Sequence, residues 1–167
     1  NQYNMGIQYL NRILRTYAAD GIKEKSLYHL KGKTIAVDTS IYLYRYQAED
    51  ALIENMYLMI SLFKHYNIIP IFVFDGAPPA EKMELLEERR EFKKQSKLRW
   101  DTLNNDLKNH KGDNEKISEI LEEMDKEKKN FVKINSNDIN NVKSLMDAYG
   151  VTYVTADGEA DELCAKL

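Results

Sequence analysis

Cysteine is nearly absent from this chain: Cys164 is the only one in 167 residues. A single cysteine excludes an internal disulfide and any zinc site built from several thiolates, and it fits a reducing compartment. No apolar run approaches the ~18–20 residues that a membrane span requires, and no signal-peptide pattern opens the sequence. An intracellular compartment is the expectation. The three histidines, His29, His65 and His110, are scattered without ligand spacing. No G-x-S-x-G, glycine-rich nucleotide loop or C-x-x-C occurs. Internal repeats and low-complexity linkers are missing as well.

What remains is enough for one ordinary domain with a sizeable core. The chain is 43% hydrophobic and 31% charged, with a formal net charge of -3. Bulk charge therefore announces no polyanionic partner, but its distribution can still do so. From Arg89 to Lys111 eight Lys/Arg stand against three Asp/Glu, a local +5. From Gly112 to Lys129 seven acids stand against four bases.

Periodicity gives the elements. Asn1–Met5 read as a leader or remnant ahead of the fold. Ile7, Leu10, Ile13, Leu14 and Tyr17 form an apolar helical stripe. Thr34–Val37 is a short β-branched strand ending at Asp38, and Glu49–Asn67 has helical spacing through Leu52, Met56, Met59, Ile60 and Phe63. Ile68–Phe74 is a second strand, whose Pro70 predicts an early position or one needing no ladder donor. Glu81 to about Leu107 and Glu115–Lys129 read as charged helices around a turn at Lys111-Gly112-Asp113. A helix behind Ser136 or Asn137 as N-cap stops at Gly150. Val151–Val154 is a third strand, and Asp157-Gly158 turns into a last helix from Glu159. This alternation predicts an α/β fold with a mainly parallel sheet flanked by helices.

In such sheets ligands bind beyond the carboxyl ends of the strands. Asp38 follows the first strand, Asp75 the second, and Glu159 and Asp161 the third. Four carboxylates at one edge repel each other unless protons or cations enter. An all-oxygen set favours hard ions, Mg²⁺ or Mn²⁺, which lower the pKa of a bound water and hold a phosphate. The alternative is structural: each acid caps a turn or sits in a first helical turn.

Lys82 and Arg89, seven apart on one helix, share a face that Lys93 continues. That row either meets a phosphate beside the acids or neutralises Glu81, Glu84, Glu87 and Glu88 in exposed ion pairs. Tyr44 is either a base-stacking ring or a core aromatic. Cys164, between Leu163 and Ala165, reads as a small buried hydrophobe.

Four stretches together resemble one family. They are Met5-Gly6-Ile7-Gln8-Tyr9-Leu10, Ile35-Ala36-Val37-Asp38-Thr39-Ser40, Phe72-Val73-Phe74-Asp75-Gly76-Ala77-Pro78-Pro79 and Glu159-Ala160-Asp161-Glu162-Leu163-Cys164. In order and spacing they resemble the flap endonuclease / XPG family of structure-specific 5′-nucleases, built on a PIN-like α/β domain.

The resemblance implies hydrolysis of DNA phosphodiesters near single-strand/duplex junctions, with two Mg²⁺ ions (Mn²⁺ substituting), in replication or repair. It implies Asp38, Asp75, Glu159 and Asp161 as metal ligands and Lys82 and Arg89 as catalytic cations. Gly6, Tyr44, Arg90, Lys93, Lys94, Lys97 and Arg99 are implied as DNA contacts. Residues 6–167 would form the N-terminal part of the catalytic domain, with a helical arch inserted at about 90–130. The implied partner is DNA with a 5′ single-stranded flap, and a sliding clamp through a region outside this chain, with no membrane. The implied location is the nucleus in a eukaryote, otherwise the cytoplasm or a viral replication site. Asp161 stands where the family more often has glutamate, and the family's later aspartates and helix–two-turn–helix element would lie past Leu167. An inactive fragment or scaffold of the same fold is the second reading, and a PIN-type ribonuclease the third.

Overall fold

The computed structural model describes residues 9–77, 83–109 and 114–167. Gly6, Lys82 and the expected turn at Lys111–Asp113 lie outside them. Among the described residues no helix is long and apolar enough to cross a membrane.

Three parallel strands form the sheet in the order β1-β2-β3: β1 Thr34–Asp38, β2 Ile69–Phe74 and β3 Thr152–Thr155. Parallel neighbours need crossover connections. Helices α2 (Thr39–Ala48) and α3 (Leu52–His65) make the first crossover. The second runs through α4 (Met83–Asn109), α5 (Asn114–Phe131) and α6 (Ser136–Ala148). Helix α1 (Leu10–Tyr17) precedes the sheet, and α7 (Ala160–Lys166) closes the chain.

Side chains alternate across a strand, and β2 shows it. Phe72 and Phe74 share a core with Val37 of β1 and with Leu43, Met56, Ile60, Val142 and Met146 of α2, α3 and α6. Val73 faces the other way, onto Ala156 and Ala160 beneath α7. Helices thus cover both faces, as expected for a parallel sheet. Pro70 pairs with Ile35 of β1, while pairing with β3 starts one residue later at Ile71, so its missing N–H costs no ladder bond on that side.

One stretch without a sequence assignment and one expected cap stand out. Residues 39–48 form α2, although Ile41-Tyr42-Leu43-Tyr44-Arg45-Tyr46 is rich in strand-favouring side chains. Asp38 decides the matter by capping the helix, its Oδ1 accepting from the Ser40 N–H at 2.9 Å. The cap of α6 is Asn135, in place of Ser136 or Asn137. Its side chain accepts from Asp138 N–H at 3.0 Å, while Asp138 accepts from Asn135 N–H at 2.9 Å, a reciprocal capping box. Gly150, at φ 62, ends α6 as expected.

Helices α4 and α5 pack on each other as a hairpin, with the Trp100 and Phe131 rings edge to face at 6.1 Å. Its inner face carries buried Ser96 and Met124.

Candidate metal and nucleic-acid site

Three connections place the four acids. Asp38 ends β1 and caps α2, so the same residue closes a strand and opens a helix. Asp75 is the first residue past β2. Glu159 stands at the N-cap position of α7 and Asp161 lies in its first turn.

Hydrogen bonds draw these connections together at the carboxyl edge. Asp75 Oδ1 accepts from the Ala160 N–H at 2.8 Å, and its Oδ2 accepts from the Ser40 hydroxyl. One carboxylate therefore ties the end of β2 to the starts of both α2 and α7. The backbone does the same one residue later, where Gly76 N–H donates to Gly158 carbonyl oxygen at 2.7 Å. Only glycine fits there: a Cβ on Gly76 would stand 2.0 Å from the Ala156 carbonyl oxygen.

The electrostatics record the convergence. Burial raises the Asp38 carboxyl above its ordinary value, the Ser40 N–H acts against that, and the charges of Asp75 and Asp161 raise it further. Burial also raises the Cys164 thiol, and Asp38, Asp161 and Asp75 add to the shift. Cys164 sits one turn along α7 from Asp161, half-buried beside Val73, Ala156 and Ala160, in keeping with the expected apolar role.

Asp38, Asp75 and Asp161 are thus brought within electrostatic reach of one another. Glu159 borders a cleft with Asp157, Gly158 and Glu162. Among the described residues, no three His, Cys, Asp or Glu side chains are arranged around one point as a preformed metal site. The donor chemistry nonetheless fits a hard divalent cation: oxygen ligands only, in mutual repulsion, with Asp75 oriented by two donors.

The cations lie on α4. Arg89, Arg90, Lys94, Lys97 and Arg99 are exposed. Lys94 lies 3.9 Å from Glu91, and Arg99 lies 3.6 Å from Glu127 of α5. Lys93 differs. Its ammonium donates to the Val132 carbonyl at 3.1 Å and stands 4.9 Å from the centroid of the Tyr44 ring. Burial lowers its pKa from the usual lysine range, and Lys133 and Arg89 lower it further. Tyr44, on α2, is half-buried beneath that ammonium.

Sequence reasoning missed three participants. Ser40 orients Asp75, and its signal was a hydroxyl two residues past a strand-end aspartate. Gly76 allows the close approach of two turns. Lys133 stands 40 residues from Lys93, and only the return of the hairpin brings the two charges together.

The sequence profile of the XPG N-terminal domain matches residues 5–96, more than half of the chain. Flap endonuclease 1 of Meyerozyma guilliermondii is 30% identical over 98% of this chain and 45% of its own length. Flap endonuclease 1 of Encephalitozoon cuniculi is 29% identical over 98% of this chain and 48% of its own. The chain spans about half the length of the curated relatives it matches. Among solved structures, the catalytic core of Rad2 in complex with DNA substrate superposes with TM-score 0.58 at 24% identity, over 93% of this chain and 40% of that one. A second complex of that core gives 0.61 at 22%, over 93% and 39%. At such identities the likeness shows the α/β nuclease-core fold, and the profile match fixes the family: this chain belongs to the XPG N-terminal domain family.

Proposed function

We propose that this chain carries part of the active site of a structure-specific 5′-nuclease of the flap endonuclease type. Its substrate would be DNA, cut at phosphodiesters near a single-strand/duplex junction, in replication or repair. The observation that carries this reading is the meeting of Asp38, Asp75 and Asp161 from three connections, fastened through Asp75 to Ser40 and Ala160, beside a cationic helical hairpin. The names of the matching relatives support the same activity.

Asp38, Asp75 and Asp161 would hold the metal, with Glu159 at the head of α7 as the fourth acid. Bound Mg²⁺ or Mn²⁺ supplies a water of lowered pKa and neutralises phosphate charge. Ser40 and the Ala160 N–H fix the direction of the Asp75 carboxylate. Arg89, together with Lys82, would offset charge developing on the phosphate. Arg90, Lys94 and Lys97, and Arg99 once released from Glu127, would hold the strand without reading its sequence. Gly6 would approach the same DNA. Tyr44 would stack a base once Lys93 lifts from its ring. Residues of about 90–130 would form the arch over the single strand. A sliding clamp would be met through regions present in full-length relatives.

The test is single-turnover cleavage of a 5′-flap duplex in Mg²⁺ by the protein that carries this chain. Asp75→Ala should abolish it by several orders of magnitude. Equal cleavage by that variant would refute the metal-site reading, and preference for an RNA strand would replace it with a ribonuclease.

A further inference from the structure

The α4–α5 hairpin is long and its footing is small. At 1.5 Å per residue, α5 rises roughly 21 Å from Lys128 to its start at Asn114. Among the described residues α4 packs substantially on α5 alone, and α5 packs on α4 and α2. The direction in which so long an element points is therefore set by few side chains at its base. One is Lys93, between Val132 and Tyr44. The other is Lys128, whose ammonium meets Asp50.

Asp50 is not an incidental surface acid. It sits in the tight link between α2 and α3 at φ 53, a conformation that aspartate tolerates better than most residues. It borders a cleft with Glu54 and Asp138, so the foot of α5 meets an acidic notch. Asp50 is 73% exposed, whereas Lys128 is only 32% exposed, its stem laid against the protein.

We propose that the Lys128–Asp50 pair is a strap that sets the position of the hairpin over the carboxylate edge. Lys128 and Asp50 are thus positioning residues, and the proposal rests on the nuclease reading only for what the hairpin covers. An exposed pair of this kind is weak and screened by salt. The strap therefore holds a preferred position without locking it.

Charge reversal separates this from simple attraction of DNA. Asp50→Lys adds positive charge, so attraction alone predicts tighter DNA binding. The strap predicts the reverse: Asp50→Lys and Lys128→Glu should each raise the DNA concentration for half-maximal single-turnover cleavage, by about threefold, with a smaller change in the limiting rate. The double reversal should restore both values. Independently of DNA and activity, spin labels at Leu121→Cys on α5 and Leu58→Cys on α3, in a Cys164→Ser background, should give a distance distribution that widens in each single reversal and in 1 M salt. It should narrow again in the double reversal. Unchanged widths in the single reversals, or no recovery in the double, would overturn the strap. Loss of cleavage in every protein, with these widths behaving as stated, would overturn the nuclease reading and leave the strap standing.

Discussion

Replacing Gly76 with alanine tests the closeness on which the site depends. The added Cβ would lie 2.0 Å from the Ala156 carbonyl oxygen and 2.8 Å from that of Asp157. Both are backbone atoms, so no rotamer change relieves the contact, and the turn after β2 must retreat from the turn before α7 by about 1 Å. That movement breaks the Gly76–Gly158 hydrogen bond, worth about 1 kcal/mol. Overpacking adds about 1–3 kcal/mol. The sum of about 2–4 kcal/mol corresponds to a fall of about 1–2 M in the urea midpoint, taking a slope near 2 kcal/mol/M. Function should suffer separately, because Asp75 and Asp161 are held by those two turns. A misplacement of about 1 Å costs on the order of a hundredfold in rate. Gly158→Ala is the control: its Cβ would meet nothing within 4 Å. If urea unfolding and flap cleavage of Gly76→Ala match those of Gly158→Ala, the two turns do not approach as described and the site is not assembled in this way.

Asp38→Asn tests the crowding of charge. Because the folded state raises the Asp38 carboxyl, its protonated form is favoured by folding below the unfolded value near 3.9. That advantage disappears as pH rises through the folded value. The neutral asparagine keeps a cap for the Ser40 N–H, so the variant should melt higher than the parent at pH 7 in EDTA and equally near pH 3. A lower melting temperature at pH 7 would contradict the shift. Ser40→Ala removes the hydroxyl on Asp75, and should lower the limiting cleavage rate roughly tenfold while changing stability by no more than about 1 kcal/mol. Arg89→Ala should slow single-turnover chemistry more than it weakens DNA binding, measured by anisotropy. The opposite pattern would assign Arg89 to docking. Asn135→Ala opens the capping box and should cost about 1 kcal/mol in urea unfolding with cleavage unchanged.

The strands were legible because buried parallel strands are short apolar runs, and Val37, Phe72 and Val73 sit in such runs. The acids were legible because each follows a strand, and strand order alone sends those ends to one edge. Helix α2 was not legible as a helix, since its tyrosines and isoleucine favour strands and its cap also serves as the strand's last residue. Glu159 and Asp161 looked equivalent in sequence, yet Glu159 is the N-cap of α7 with extended backbone (φ -78, ψ 149), whereas Asp161 lies in the first helical turn. Asp161 acts on the charge of Asp38, and Glu159 borders a cleft with Asp157, Gly158 and Glu162.

Lys93 shows the same limit from the side of the cations. Its seven companions between Arg89 and Lys111 are indistinguishable from it in composition, and periodicity put it on the face of Lys82 and Arg89. Three-dimensional packing singles it out, because the return of α5 places the Val132 carbonyl and Lys133 beside it and α2 places Tyr44 under it. A lysine held by a carbonyl and an aromatic face, with its charge disfavoured by burial and by two neighbouring cations, gains more from an arriving phosphate than a solvated lysine does. Under the proposed nuclease reading, a bound phosphate would offset the repulsion that Lys133 and Arg89 each exert on Lys93. The cations nearest the hairpin's base thus resemble the acids in one respect: like charges are gathered by the fold from different elements, here Lys93 and Arg89 of α4 with Lys133 after α5.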